Sequence, residues 1–368
     1  MSEDLIRKNK WLYPVSWLYG TAVTIRNKLF DWGILQSKSF NVPIICVGNL
    51  AVGGTGKTPH TEFLIKLLSA HYHVAVLSRG YKRHTKGYLL ADAKSTAQTI
   101  GDEPYQIHQK YPNITLAVDE DRCHGIQQLL AIKQPKVDLI LLDDAFQHRY
   151  VRAGLNILLT DYHRLFSDDA LLPAGRLREP KSGKNRAHMV IVTKCPSDIK
   201  PIDYNIIAKR LDLYPYQALY FSTFQYGSLR PVFPSEHSKE KKLVTLIGAD
   251  VLLVTGIVSP APILNELETY ATKVDLLAFD DHHQFTESDL QQIEERFQQL
   301  NPNNRFIVTT EKDAARLVGH SQLKDELKPM LYSLPITIKI LQKQQDKFNQ
   351  HIIGYVRKNT RNGSLPQK

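Results

Sequence analysis

The stretch CVGNLAVGGTGKTP, residues 46–59, passes from an apolar run through a glycine-rich turn into a segment with helical spacing. Within it AVGGTGKT, residues 51–58, matches the phosphate-loop pattern GxxxxGK[ST], except that Ala51 stands at the first glycine. The residue types follow from what a polyphosphate requires. Gly53, Gly54 and Gly56 let backbone amides close on phosphate oxygens, and the following helix offers its positive end. Lys57 is expected to reach the β- and γ-phosphates, and Thr58 to ligate Mg2+ through its hydroxyl. Pro59, in the first helical turn, removes an amide that has no helical acceptor. Ala51, Val52, Gly53, Gly54, Thr55, Gly56, Lys57 and Thr58 are therefore the candidate nucleotide cradle.

A phosphate loop needs an acidic partner for the metal, normally at the end of a neighbouring apolar strand. VDLILLDDAFQH supplies one: Leu139 to Leu142 read as a buried strand, and Asp143 and Asp144 emerge at its end. Paired carboxylates repel unless a cation stands beside them. VPIICVGNL, HVAVLSRGY, NITLAVDED, LNILLTDY and HMVIVTKC are further short apolar runs. Continuous rather than alternating hydrophobicity predicts strands covered on both faces, hence an α/β fold of the P-loop type with a parallel sheet flanked by helices. Later segments, KLVTLIGAD, KVDLLAFDDHHQF and RFIVTTEKDAARL, alternate with expected helices at Pro260–Ala271 and about Glu287–Leu300, which predicts a smaller α/β domain.

The expected division is residues 1–36 as an amphipathic helix, 37–196 as the phosphate-loop core, 197–242 as a linker or peripheral hairpin, 243–345 as the smaller domain and 346–368 as a tail. In the first segment Val15, Leu18, Ala22, Ile25, Leu29 and Trp32 recur at helical spacing beside Arg26 and Lys28. Such a helix either packs on the core or lies in a membrane interface. With 368 residues, 42% hydrophobic, and 47 basic against 37 acidic residues, the chain is of globular composition, and its net charge of +10 favours anionic partners. Three scattered cysteines form no CxxC pair, so neither a disulfide framework nor a structural zinc site is indicated, and a reducing compartment fits. The N-terminus has neither the order of a signal peptide nor a stretch long enough to span a bilayer, which reads as cytoplasmic. Guanine specificity is unsupported, because VTKCPSD has Pro196 where [NT]KxD requires aspartate. Val52 stands where dimerising partitioning ATPases carry a lysine, so that class is disfavoured.

The order and combination of YPVSWLYG, VGNLAVGGTGKTP, LSRGYKR, GDEP, DDAFQH, LLPAGRLREP, TGIVSPAPI, FDDHHQF and TTEKDAARL resemble the tetraacyldisaccharide 4'-kinase family. This chain departs from that family's usual pattern at Ala145, usually glycine, at Arg176, usually proline, and near Ile263, often aromatic. The resemblance implies transfer of the γ-phosphoryl of ATP, with Mg2+, to the 4'-hydroxyl of a tetraacylated glucosamine disaccharide 1-phosphate. It also implies a peripheral enzyme on the cytoplasmic face of the inner membrane, which favours the interfacial reading of the first helix, and a monomer. By the same resemblance Asp102 is the base, tuned by His282 of the smaller domain, so that domain closure would join catalysis. Glu103, Asp143, Asp144 and, more weakly, Glu179 are implied near the metal, with Gln147 and His148 beside them. Arg122 and Arg178 are implied toward phosphates, which the geometry of arginine suits, and Tyr81 toward nucleotide or sugar. A nucleic-acid ATPase would instead show a basic stripe with interleaved aromatics, which is absent outside the N-terminal segment and GYKRHTKGY, so no nucleic-acid partner is expected. A kinase for another saccharide or small metabolite would need no interfacial helix.

Overall fold

The computed structural model describes residues 10–234, 239–257, 259–280, 283–318, 320 and 322–362. The chain divides into two units: residues 1–224 with 338–368, and residues 225–337.

The strands of the first unit are β1 (Ile44–Asn49), β2 (Val74–Ser78), β3 (Leu89–Leu90), β4 (Thr115–Val118), β5 (Leu139–Asp143), β6 (Leu155–Asp161), β7 (Met189–Thr193) and β8 (Ala218–Tyr226). In the second unit they are β9 (Arg230–Pro231), β10 (Asp250–Thr255), β11 (Lys273–Ala278), β12 (Arg305–Thr310) and β13 (Leu331–Leu334), and β14 (Ile336–Ile340) leads back to the first. The larger sheet runs β14-β8-β7-β6-β1-β5-β2-β4-β3, with parallel pairing from β8 to β4. Every residue of β1, β2, β5 and β7 is buried, as continuous apolar runs require of a sheet covered on both faces. Alternate residues divide between the two faces: Ile44 and Cys46 join one core cluster, Ile45 and Val47 the other.

The helices are α1 (Tyr13–Asp31), α2 (Lys57–Leu68), α3 (Ala97–Ile100), α4 (Asp102–Lys110), α5 (Arg122–Ala131), α6 (Pro201–Leu211), α7 (Ala261–Glu268), α8 (Glu287–Gln298), α9 (Glu311–Leu317) and α10 (Gln345–Asn362). In the second unit a five-stranded sheet runs β11-β10-β12-β13-β9, with β9 antiparallel. This unit is the second, smaller α/β body, and it spans residues 225–337 rather than the expected 243–345.

Two further parts of the expected division are corrected. Residues 197–242 are not a linker: they carry α6 and β8, and β8 is an internal strand of the large sheet. Residues 346–368 are not a free tail, because residues up to Asn362 form α10. Phe348, Ile352 and Val356 repeat every four residues on that helix and are buried in one core cluster. Phe348 meets Phe63 and Tyr220 edge-on, at centroid distances of 5.8 and 5.0 Å. Phe348→Ala should therefore lower the unfolding free energy by about 3–5 kcal/mol, read from urea denaturation against wild type.

The first helix turns its small and polar face inward. Gly20 lies against Leu171, where an added Cβ would sit 2.5 Å from Cδ1. Ser16 Oγ donates to the Leu171 carbonyl and accepts from the Ala174 amide. Tyr19 Oη donates to the Arg178 carbonyl at 2.7 Å. The stripe read from the sequence points the other way, with Val15, Leu18, Ile25 and Trp32 exposed, together with Trp11 and Trp17.

Candidate active site

The phosphate loop joins β1 to α2, and its shape is set from below and beside. Gly53 and Gly56 adopt φ of +109° and +82°, values that favour glycine. Asn49, fully buried, donates through Nδ2 to Thr55 Oγ1 at 2.8 Å, and its Oδ1 accepts from Arg178 Nη2. The Thr55 carbonyl accepts from Thr193 Oγ1 at 2.9 Å, at the end of β7. His60 grips the loop's last turn: its Nδ1 lies 2.7 Å from the Gly56 carbonyl and its Nε2 2.9 Å from Ser222 Oγ. A carbonyl only accepts, so Nδ1 carries the proton and Nε2 accepts from the serine. Burial pushes the His60 pKa down to about 4, against the Gly56 hydrogen bond, and keeps the ring neutral.

Three members of the expected cradle have other partners. The Val52 amide donates to the Arg176 carbonyl at 2.8 Å, and Ala51 bridges Leu177, so this limb is tied to the segment 171–178. The Thr55 amide donates to the Gly53 carbonyl at 3.0 Å. Ala51, Val52 and Thr55 thus shape the loop. Among the described residues the amides of Gly53, Gly54 and Gly56 have no backbone acceptor. Lys57 and Thr58 head α2, where amides have no intrahelical acceptor. These five amides are the ones an anion can use.

Facing them is the end of β5, where Asp143 pairs in register with Val47 of β1. Thr61 Oγ1 donates to Asp143 Oδ1 at 3.0 Å. Thr58 lies one turn earlier on the same face of α2. Asp143 is buried, and burial, reinforced by the charges of Glu103 and Asp144, pushes its pKa up to about 7 against Lys57 and the Thr61 hydroxyl. Asp144 goes the other way despite burial: Lys57 at 3.6 Å and Arg178 at 3.0 Å hold its carboxyl below the usual range. It sits at φ +46°, a left-handed conformation uncommon for a non-glycine residue.

Arg122 heads α5, is 2% exposed, donates through Nη1 to the Asp119 carbonyl at 2.8 Å, and keeps a buried Nε without partner among the described residues. Burial pulls its pKa below the usual arginine value, against the charges of Asp143 and Asp144. Gln147 Nε2 donates to the Asn49 carbonyl at 2.7 Å, beneath the loop. Burial and Arg122 hold neighbouring His148 at about 4, so it is neutral. Asp102 and Glu103 open α4 after Gly101, at φ +94°.

Glu179, expected as a metal candidate, serves otherwise. Both its oxygens accept from Arg186 Nη2 at 2.8 Å, one also from Gln147 and the other from Asn27 of α1. It cross-links α1 to the phosphate-loop scaffold. Asp281 and His282 lie outside the described residues. The structure brings Lys57, Glu103, Arg122, Asp143, Asp144 and Arg178 into one electrostatic cluster. Asn49, His60 and Thr61 belong to it unannounced: single polar letters inside apolar patterns were the only signal.

A buried carboxyl destabilised by two neighbouring carboxylates fits Mg2+, whose charge would relieve that repulsion. No group of three His, Cys, Asp or Glu that could hold a metal unaided occurs among the described residues. Mg2+ is commonly bound by one or two carboxylates together with substrate phosphates.

A phosphate loop on the central strand with an acidic pair on the adjacent one defines a P-loop nucleoside triphosphate-binding protein. The family model described as LpxK, tetraacyldisaccharide-1-P 4'-kinase, matches residues 8–357, and the chain belongs to that family. A tetraacyldisaccharide 4'-kinase of Bacteroides thetaiotaomicron is 68% identical over 100% of this chain and 98% of the relative. One of Phocaeicola vulgatus is 55% identical over 99% of this chain and 100% of the relative. Among solved structures, LpxK from Aquifex aeolicus in complex with ATP aligns with a TM-score of 0.72 at 27% identity, covering 94% of this chain and 98% of that one.

The Asp143 carboxyl makes a signed prediction. Between pH 4 and 7 the folded state holds its proton while the unfolded chain, with an ordinary carboxyl, has lost it, so ligand-free stability falls as pH rises through that window. Asp143→Asn, which can still accept from Thr61, should remove this fall in urea denaturation curves measured at pH 4, 6 and 8.

Proposed function

We propose that the chain transfers the γ-phosphoryl group of ATP to the 4'-hydroxyl of a tetraacylated glucosamine disaccharide 1-phosphate, a step of lipid A synthesis. The observation that carries this reading is family membership across the chain, with a phosphate loop that keeps Gly56, Lys57 and Thr58 next to the strand that bears Asp143. The amides of Gly53, Gly54, Gly56, Lys57 and Thr58 receive the β- and γ-phosphates. Lys57, now beside Asp144, turns to the γ-phosphoryl group, and Arg178 and Arg122 offset charge as it develops. Thr58 and Asp143 would hold Mg2+, with Asp144 and Glu103 nearby, and the ion would supply charge neutralisation of the phosphates. Asp102 accepts the proton of the attacking hydroxyl.

An acceptor with four acyl chains stays in a bilayer, so the enzyme works at the surface. Support comes from α1 and its two flanks: Trp17 on the helix is 70% exposed, Trp11 before it 92% and Trp32 after it 67%, with the cations Arg26 and Lys28 on the same helix. No described helix is long and apolar enough to cross a membrane. We therefore assign α1 to the membrane interface, on the cytoplasmic face of the inner membrane.

Incubation with Mg2+, labelled ATP and the acylated disaccharide 1-phosphate should label the lipid. Lys57→Ala should lower kcat by roughly 100-fold or more, and Asp102→Ala by roughly 100- to 10,000-fold. Full transfer by both variants would refute the assignments. Separately, Trp17→Ser with Leu18→Ser should weaken binding to phosphatidylglycerol vesicles about tenfold or more while leaving KM for ATP unchanged.

A further inference from the structure

Beyond the C-terminal end of β2, residues Arg79 to Lys86 and Glu120 line an open pocket of about 320 Å³. Arg79, Lys82, Arg83 and Lys86 bring four cations to it, against one carboxylate, that of Glu120. Like charges crowd in this way at a cost that an anion between them removes.

Arg83 is the part of this pocket already built. Its side chain is 2% exposed, and Nη2 donates to the Gly87 carbonyl at 2.5 Å and to Glu120 Oε1 at 2.7 Å. Its Nε and Nη1 are buried and have no partner among the described residues. Buried donors are ordinarily satisfied, so two orphans on one guanidinium in a cationic pocket point to an absent acceptor. The backbone is fitted to this placement. Gly80 has φ +69°, and a Cβ there would stand 2.5 Å from Arg83 Cδ. Lys82 takes φ +61° without being glycine.

The pocket is not the cradle of the nucleotide. In the sheet β5 separates β2 from β1, which puts β2 two strand spacings, about 10 Å, from the strand that bears the phosphate loop. It does adjoin the candidate base: a Cβ on Gly101, the residue before Asp102, would lie 3.1 Å from the Tyr81 carbonyl and 3.2 Å from Gly80.

We propose that this pocket binds a phosphate monoester carried by the acceptor, its 1-phosphate, with Arg83 as the buried donor and Lys82 and Lys86 as the exposed cations. The proposal rests on the kinase reading above. A phosphate monoester offers a near-dianion with three acceptor oxygens, which matches two unpaired N–H groups flanked by ammonium groups.

The test compares kcat/KM for the acylated disaccharide with and without its 1-phosphate. Wild type should prefer the phosphorylated acceptor roughly 10- to 100-fold. Arg83→Gln should bring that ratio near one by raising KM for the phosphorylated acceptor, with KM for ATP unchanged, and Arg83→Lys should retain part of it. Should Arg83→Gln fail to fold, the exposed pair Lys82→Ala and Lys86→Ala must lower the ratio instead. Equal loss on both acceptors, or an unchanged ratio, overturns the proposal. Binding of Arg83→Gln to phosphatidylglycerol vesicles without acceptor should equal that of wild type; a fall would assign the pocket to bilayer headgroups and overturn it too. If wild type labels neither acceptor, the kinase reading itself fails.

Discussion

Two carboxylates emerge side by side from the end of β5, and the protein treats them oppositely. Asp144 is drawn to Lys57 and Arg178 and stays ionised, whereas Asp143 is buried near the charge of Glu103, accepts from Thr61 and is pushed up to about 7. The asymmetry divides the labour at the site. One group keeps the cations of the phosphate loop in place before the nucleotide arrives; the other is left wanting positive charge. The state of Asp143 depends on the sheet, because burial is the largest influence on it, whereas Asp144 stays ionised against burial through Lys57 and Arg178.

The segment 171–179 joins this centre to the periphery. Its backbone takes the Val52 amide on one side and the hydroxyls of Ser16 and Tyr19 on the other, while Glu179 binds Asn27, Gln147 and Arg186. The helix assigned to the lipid surface and the loop assigned to the nucleotide therefore share one scaffold, with a single segment between them. Arg176, where proline is usual in the family, donates its amide to Asp169 and accepts from Val52 through its carbonyl; a proline would keep only the second of these.

What the letters revealed followed period and composition. Six apolar runs became β1, β2, β4, β5, β6 and β7 because residues covered on both faces leave an unbroken hydrophobic signature. The loop was legible because its chemistry demands particular residues at fixed spacing. The strand β8 escaped notice: ALYFSTFQY lies in a stretch rich in tyrosine, proline and lysine that reads as a linker, although the strand is internal to the sheet. The helix α10 did so because lysine, glutamine and asparagine dilute its buried Phe348, Ile352 and Val356. Glu179 meets Asn27, Val52 meets Arg176 and His60 meets Ser222 across 152, 124 and 162 positions, distances at which no local pattern carries information.

The final helix also fastens the first strand. Tyr355 Oη reaches both the amide and the carbonyl of Ile44, at 3.3 and 3.1 Å, across 311 positions, and Gly154 leaves room for that ring. The nucleotide unit is thus discontinuous along the chain, interrupted by residues 225–337. Residues 225–337 must therefore be made before the strand preceding the phosphate loop gains its last clasp. Closure of so long a loop comes late in folding.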